Sequence, residues 1–204
     1  MTEIKAVVFD MGGVLIDLDF DRCVNAYRAI GFEKITDMLD RYYQKGIYGE
    51  MEEGKASEDD FYDFVLANSN PGTTREDVDG CFRAFFHGPS PEVAKAVLDV
   101  KAKGYPVYML SNNNPIMMRV CVPAFEAAGL PLEVFDELFI SCRMKLMKPG
   151  AEIYERAIAA IGCRPEEILF IDDSRYNIEA ALRAGIRAVQ YIPGTPLADC
   201  LAGL

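Results

Sequence analysis

Apolar residues come along this chain in two rhythms. Short runs, at residues 4–9, 105–110 and 168–171, are apolar apart from Lys5 and do not alternate. Runs of that length without a polar face fit strands buried on both sides of a parallel sheet. A weaker run at 137–141 and another at 186–191 bring the predicted strands to five. Between them the apolar positions follow helical spacing. Ser90-Pro91 opens one helix, with serine as N-cap and proline in the first turn, and Gly104 closes it. A second helix covers 117–128 and stops at Gly129. A third opens at Lys148-Pro149 and sets Ile153, Ala157, Ile158 and Ile161 on one face before Gly162. A fourth covers 177–184 and stops at Gly185. Strands alternating with helices predict βαβ units and a parallel sheet.

The interval from 17 to about 88 breaks this alternation. It shows no strand, only helical segments at 21–29 and 34–43 and two more with matching start signals. Ser57 precedes Asp60 and the stripe Phe61, Phe64, Val65, and Thr74 precedes Asp77 and the stripe Val78, Cys81, Phe82, Phe85. An all-helical insert of about seventy residues therefore follows the first strand.

Charge narrows the function. Acidic residues number 32 against 21 basic ones, a formal net charge of -11. No basic face for a nucleic acid is expected from such a balance. An anionic substrate remains compatible, because a metal ion and one lysine reverse the sign locally. The six cysteines form no CxxC pair, and the N-terminal stretch enters a strand without a signal peptide. Both predict reduced thiols in a cytoplasmic protein. No apolar run is long enough to span a membrane.

Polar residues gather where the strands end. Asp10 ends the first run, on a turn that Gly12 and Gly13 allow to approach a ligand closely. Ser111-Asn112 ends the second, Lys148 opens a helix, and Asp172-Asp173 ends the fourth. In a doubly wound sheet such points share one edge. Carboxylates, a hydroxyl and a lysine together suit a divalent cation plus a phosphate, since magnesium takes hard oxygen ligands. A carboxylate also attacks phosphorus to form an aspartyl-phosphate. A phosphate-loop nucleotide enzyme is excluded, as no GxxxxGK[ST] is present.

The stretches VVFDMGGVLID, YMLSNN, MKPGAEIYERA and LFIDDSRYNIEAA, in that order, resemble the four motifs of the haloacid dehalogenase superfamily. The match is to its phosphatase branch with a helical cap, which includes bacterial sugar-1-phosphate phosphatases. The resemblance implies an α/β fold with a Rossmann-like core domain at 1–16 and 90–204 and a small all-helical cap domain at 17–89. It implies a magnesium (Mg2+)-dependent phosphatase acting on small phosphorylated metabolites, sugar phosphates among them. Asp10 would be the nucleophile and a metal ligand, with the carbonyl of Gly12 as another ligand. Ser111 and the amide of Asn112 would hold phosphate oxygens, Lys148 would neutralise the phosphate and Asp10, and Asp172 with Asp173 would complete the metal site. A dehalogenase would not need that metal site.

Two positions depart from the pattern. The family's first motif usually reads D-x-D, its second aspartate giving and then taking a proton, and this chain has Gly12. General acid–base help is worth about 10²–10⁴-fold, so its loss should slow a phosphatase without silencing it. Rates should then depend steeply on how readily the leaving group departs unprotonated. The alternative is a non-catalytic protein that binds a phosphorylated metabolite or a partner, although such a binder would not need Asp10. The second departure is Lys145, where relatives often have glycine, read as a solvated or pocket-rim charge.

Other residues receive plainer readings. His87 fits a hinge where the insert returns to the sheet, and Asp17 and Asp19 flank the first crossing as solvated hinge residues or substitute acids. Tyr42, Tyr43, Tyr48 and Glu50 belong to the cap core or to a specificity surface. Met117-Met118 fits helix packing.

Overall fold

The computed structural model describes residues 3–40 and 44–204. Its centre is β1 (Ala6–Phe9), whose four side chains are all buried. They divide between two cores: Val7 and Phe9 pack into one, Ala6 and Val8 into the other. Alternate residues reach opposite faces of a strand, so both faces of the sheet are covered. That is why the run carries no polar period.

The chain then enters the insert. It contains β2 (Asp17–Leu18), α1 (Phe20–Ala29), α2 (Ile35–Met38), α3 (Gly46–Glu52), α4 (Glu58–Ala67), α5 (Arg75–Ala84) and β3 (Phe86–His87). The start signals at Ser57 and Thr74 form capping boxes, each hydroxyl accepting from the backbone of Asp60 or Asp77 and each aspartate accepting in return. Three expectations need correction. The insert is not wholly helical, because β2 and β3 pair antiparallel where the chain leaves and re-enters the sheet. Two-residue strands carry too little pattern to be read. The segment expected to be helical over 34–43 keeps only α2, since Leu39 is extended; residues 41–43 lie outside the described residues. And α3 forms where only glycine punctuation was evident.

After the insert come α6 (Pro91–Ala102), β4 (Val107–Ser111), α7 (Pro115–Val120), α8 (Val122–Ala127), β5 (Glu137–Ile140), α9 (Ser141–Met144), α10 (Ala151–Ile161), β6 (Ile168–Asp172), α11 (Arg175–Arg183), β7 (Arg187–Gln190) and α12 (Leu197–Cys200). The helix expected over 117–128 starts earlier, capped by Asn114 with Pro115 in its first turn, and divides at Cys121. Pro123 has no N–H to donate and its ring crowds the carbonyl four residues back. The helix expected from Lys148 starts at Ala151, consistent with the bias of the residue before proline away from helical geometry.

All five strands of the main sheet run parallel, in the order β5-β4-β1-β6-β7. The chain leaves β1 for β4 on one side and later returns to place β6 on the other. That reversal of direction puts the C-terminal ends of β1, β4 and β6 side by side, the usual position of a ligand crevice in open α/β sheets. One of the two cores continues from the sheet into the insert, where Tyr27, Tyr48, Phe61 and Phe82 interlock edge to face and stacked. All six cysteines are free. Among the described residues no helix is long and apolar enough to cross a membrane.

Candidate active site

β1 delivers Asp10, β4 delivers Ser111, and β6 delivers Asp172, with Asp173 next in line. Lys148 comes from the loop before α10 and is 2 % exposed. Its ammonium lies 2.9 Å from Asp10 Oδ1 and 2.6 Å from Asp172 Oδ2, so it bridges two buried carboxylates. Asn112 sets this loop in place. Its side-chain amide donates to the Lys148 carbonyl at 2.8 Å and accepts from the Lys148 N–H at 2.9 Å. The paired bonds of that amide reproduce a strand-like contact and fix where the lysine enters.

Asp172 is fully buried and its oxygens accept from the Ser174 N–H at 2.8 Å and from the Asn177 amide at 3.0 Å. Carboxylate oxygens of Asp10, Asp172 and Asp173 all lie within 4.8 Å of one another. Three carboxylates crowd one ammonium in a buried place, and with all of them ionised the charge there would be near minus two. Burial pushes the Asp10 carboxyl up to about 8, against the pull of Lys148, and burial followed by Asp172 pushes Asp173 up to about 6. Burial alone would lower Lys148, but Asp10 and Asp172 hold it above its ordinary value. A hard divalent cation supplies the missing positive charge, and the all-oxygen donor set fits magnesium.

These residues open on a pocket of about 320 Å³. Asp10, Gly12, Ser111, Asn112, Lys148 and Asp173 line its floor, while Leu18, Phe20, Gln44, Tyr48, Glu52 and Phe85 from the insert line its roof. Gly13 explains why the first loop is glycine-rich. Its φ is +76°, and a Cβ there would sit 2.6 Å from Asp173 Oδ2. Gly12 is different: it lies outside the left-handed region, and a Cβ would meet Leu18 Cδ1 at 3.1 Å. A side chain at position 12 would thus press on an apolar residue of β2.

The remaining sequence candidates separate cleanly. Tyr48 is buried in α3 and lines the pocket, Glu50 on the same helix faces solvent, and Tyr42 and Tyr43 lie outside the described residues. Lys145 is exposed at φ 56°, the left-handed conformation that glycine would adopt without cost. His87 sits in the β2–β3 ribbon with Nε2 3.5 Å from Asp19 Oδ2, and Asp19 caps α1. Neither His87, Asp17 nor Asp19 lines the pocket, so the substitute-acid reading of the two aspartates has no support. Met117 lines the pocket and Met118 is buried beside it in α7.

Sequence reasoning missed Asn177, which orients Asp172, and Glu52. Asn177 lies five residues beyond Asp172, where helical phase returns it to the strand end. Glu52 could have been picked from spacing, since Tyr48, Met51 and Glu52 share one face of a helix.

Comparison with known proteins identifies the family. The sequence profile of the haloacid dehalogenase-like hydrolases matches residues 4–185. A D-ribitol-5-phosphate phosphatase of Bacteroides thetaiotaomicron is 35% identical over 189 residues, 92% of this chain and 91% of that protein. A haloacid dehalogenase family enzyme of the same organism, crystallised as an alanine mutant with magnesium and inorganic phosphate, superposes with a TM-score of 0.87 at 30% identity. It covers 94% of this chain and 96% of its own. A haloacid dehalogenase-like hydrolase of Porphyromonas gingivalis superposes equally well, with a TM-score of 0.87 at 31% identity over 98% and 97% of the two chains. With its motifs at the strand ends and near full-length matches on both sides, this chain belongs to the haloacid dehalogenase-like hydrolases.

Proposed function

We propose that this protein is a magnesium-dependent phosphoric monoester hydrolase for small phosphorylated metabolites, with polyol and sugar phosphates as its substrate class. The observation that carries this reading is the convergence of Asp10, Asp172 and Asp173 around buried Lys148 on the floor of one pocket. The D-ribitol-5-phosphate phosphatase among its relatives supports the polyol and sugar part of the reading.

In this reading Asp10 is the nucleophile. Its carboxylate attacks phosphorus, the bond to the leaving oxygen breaks, and an aspartyl-phosphate forms that water hydrolyses. Lys148 favours the carboxylate form of Asp10 against the burial that raises it, and draws charge from the phosphoryl oxygens. Ser111 and the backbone amide of Asn112 hold those oxygens from the other side. Asp10, the Gly12 carbonyl, Asp172 and Asp173 would hold magnesium, which neutralises charge on the phosphoryl group when bound. Residues 17–89 act as a cap, their pocket-lining side chains excluding water and selecting the organic part of the substrate.

A panel of phosphorylated metabolites assayed with magnesium, beside the Asp10→Asn variant, tests this. Release of phosphate from sugar or polyol phosphates that stops in EDTA and in Asp10→Asn is expected. Full activity in metal-free buffer, or no turnover of any phosphate by the natural protein, would overturn it.

A further inference from the structure

The mechanism above leaves a proton without an owner. A departing alkoxide needs one, and the water that opens the aspartyl-phosphate must lose one. Position 12, where a second aspartate would stand, has no side chain, and Leu18 lies close against it. On the floor, Lys148 is held by two carboxylates, Asp172 by Lys148, Ser174 and Asn177, and Asp10 and Asp173 belong to the nucleophile and metal set.

The roof offers a further carboxyl. Glu52, at the end of α3, is 8 % exposed and lines the same pocket as Asp10. Among the described residues its carboxyl has no hydrogen-bond or ion-pair partner. Its backbone is held firmly against the floor. The Ser141 hydroxyl lies 2.7 Å from the Glu52 carbonyl and accepts from the Asn113 N–H at 2.9 Å, joining the end of α3 to the loop that follows Ser111. Gly54, two residues on, has φ +69° and lies against the Cys142 carbonyl, an approach that a Cβ would block. These contacts hold the end of α3 close to the catalytic floor.

We propose that Glu52 is the proton donor and acceptor of this site, taking from the insert the role that position 12 cannot fill; this rests on the phosphatase reading. As Asp10 attacks phosphorus and the P–O bond to the leaving group breaks, the Glu52 carboxyl gives its proton to the departing oxygen, releasing an alcohol. The resulting carboxylate then takes a proton from water as that water's oxygen attacks the aspartyl-phosphate. The P–O bond to Asp10 breaks, inorganic phosphate leaves, and both Asp10 and Glu52 return to their starting states. Burial first, then the negative charges of Asp10 and Glu53, push the Glu52 carboxyl up to about 8, so that it carries a proton at neutral pH. Near neutrality such a group serves both steps.

The natural protein therefore depends only weakly on leaving-group acidity, and the steep dependence expected from Gly12 alone belongs to Glu52→Gln. The test measures kcat/KM against leaving-group pKa, with magnesium, for both proteins and for Glu50→Gln on the exposed side of α3. Glu52→Gln should slow polyol and alkyl phosphates by about 10²–10⁴-fold while aryl phosphates change only a few-fold, and Glu50→Gln should match the natural protein. With an aryl phosphate, Glu52→Gln should also release a burst of one phenol per protein as the aspartyl-phosphate accumulates. If melting shows Glu52→Gln to be unfolded, Glu52→Asp replaces it, and its slope should fall between the two. Equal slopes in the natural protein and the Glu52 variant would overturn the proposal and leave the phosphatase reading intact. Absence of any turnover by the natural protein would overturn that reading first.

Discussion

In the proposed reaction single residues near the strand ends carry most of the chemistry, and two of them make sharp predictions. Gly13 sits at φ +76° with Asp173 where its Cβ would be. Gly13→Ala should cost about 1–3 kcal/mol in urea unfolding, through left-handed strain and displacement of Asp173. It should weaken magnesium binding in a titration, whereas Gly12→Ala, which only presses on Leu18, should do neither to a comparable degree. Lys148 is the second case. Lys148→Met leaves Asp10 and Asp172 buried without their shared cation. The metal-free variant should lose up to about 3–5 kcal/mol in chemical unfolding, with much of the loss recovered on adding magnesium. A variant as stable as the natural protein without metal would show that the ammonium does not hold these carboxylates together.

At the scale of elements, the notable device is the narrow crossing between sheet and insert. The β2–β3 ribbon is only two residues long on each side. Arg22 of α1 reinforces it, donating from Nε to the Ala84 carbonyl at 2.6 Å and from one terminal nitrogen to the carbonyls of Arg83 and Phe86 at 3.0 and 2.7 Å. The Arg83 and Ala84 carbonyls end α5, where a cation is also favoured by the helix dipole. Arg22→Met should cost about 1.5–3 kcal/mol of stability. It should raise KM for a natural substrate more than for an aryl phosphate, because the roof of the pocket hangs from this crossing. The two could be separated by unfolding curves and by steady-state kinetics on both substrates. An unchanged KM ratio would mean that the ribbon alone holds the roof.

Over the whole molecule, two acids bend stability with pH in opposite directions. Glu167 accepts from Arg164, lies 2.7 Å from Lys5 Nζ, and takes the Lys5 N–H on its carbonyl, tying the entry of β1 to the turn before β6. Hydrogen bonds from Arg164, then from Lys5, hold its carboxyl down at about 2. A depressed carboxyl stabilises the fold above its unfolded pKa near 4.5, and that contribution disappears as pH falls toward 2. Glu52 behaves oppositely. Raised to about 8, it keeps its proton in the fold while the unfolded chain loses one, so stability falls as pH rises from about 4.5 to about 8 and levels off above. Melting curves in EDTA should therefore show Glu52→Gln gaining on the natural protein across that window, by at most about 1.4 kcal/mol per pH unit. A constant difference would mean that Glu52 is ionised at neutral pH.

The sequence alone determined the sheet, its order of helices and strands, and the residues at its working edge. Asp10, Ser111 and Asp172 were legible because a buried strand is an apolar run and a polar residue ending it stands out sharply, and Lys148 because it stands beside the proline that opens the next helix. The capping boxes at Ser57 and Thr74 were legible because a helix start is satisfied by neighbours three residues apart. What only the tertiary structure decided is whatever depends on contacts between distant segments. The β2–β3 ribbon is too short to have a period of its own and exists because the two crossings lie side by side. The close approach of Leu18 to Gly12 joins segments that share no local signal. Glu50, Glu52 and Glu53 are interchangeable acids along the chain, and only the packing of α3 turns one toward solvent and another into the pocket. Local sequence sets which backbone each segment prefers; burial, a property of the assembled chain, decides which side chain meets the substrate.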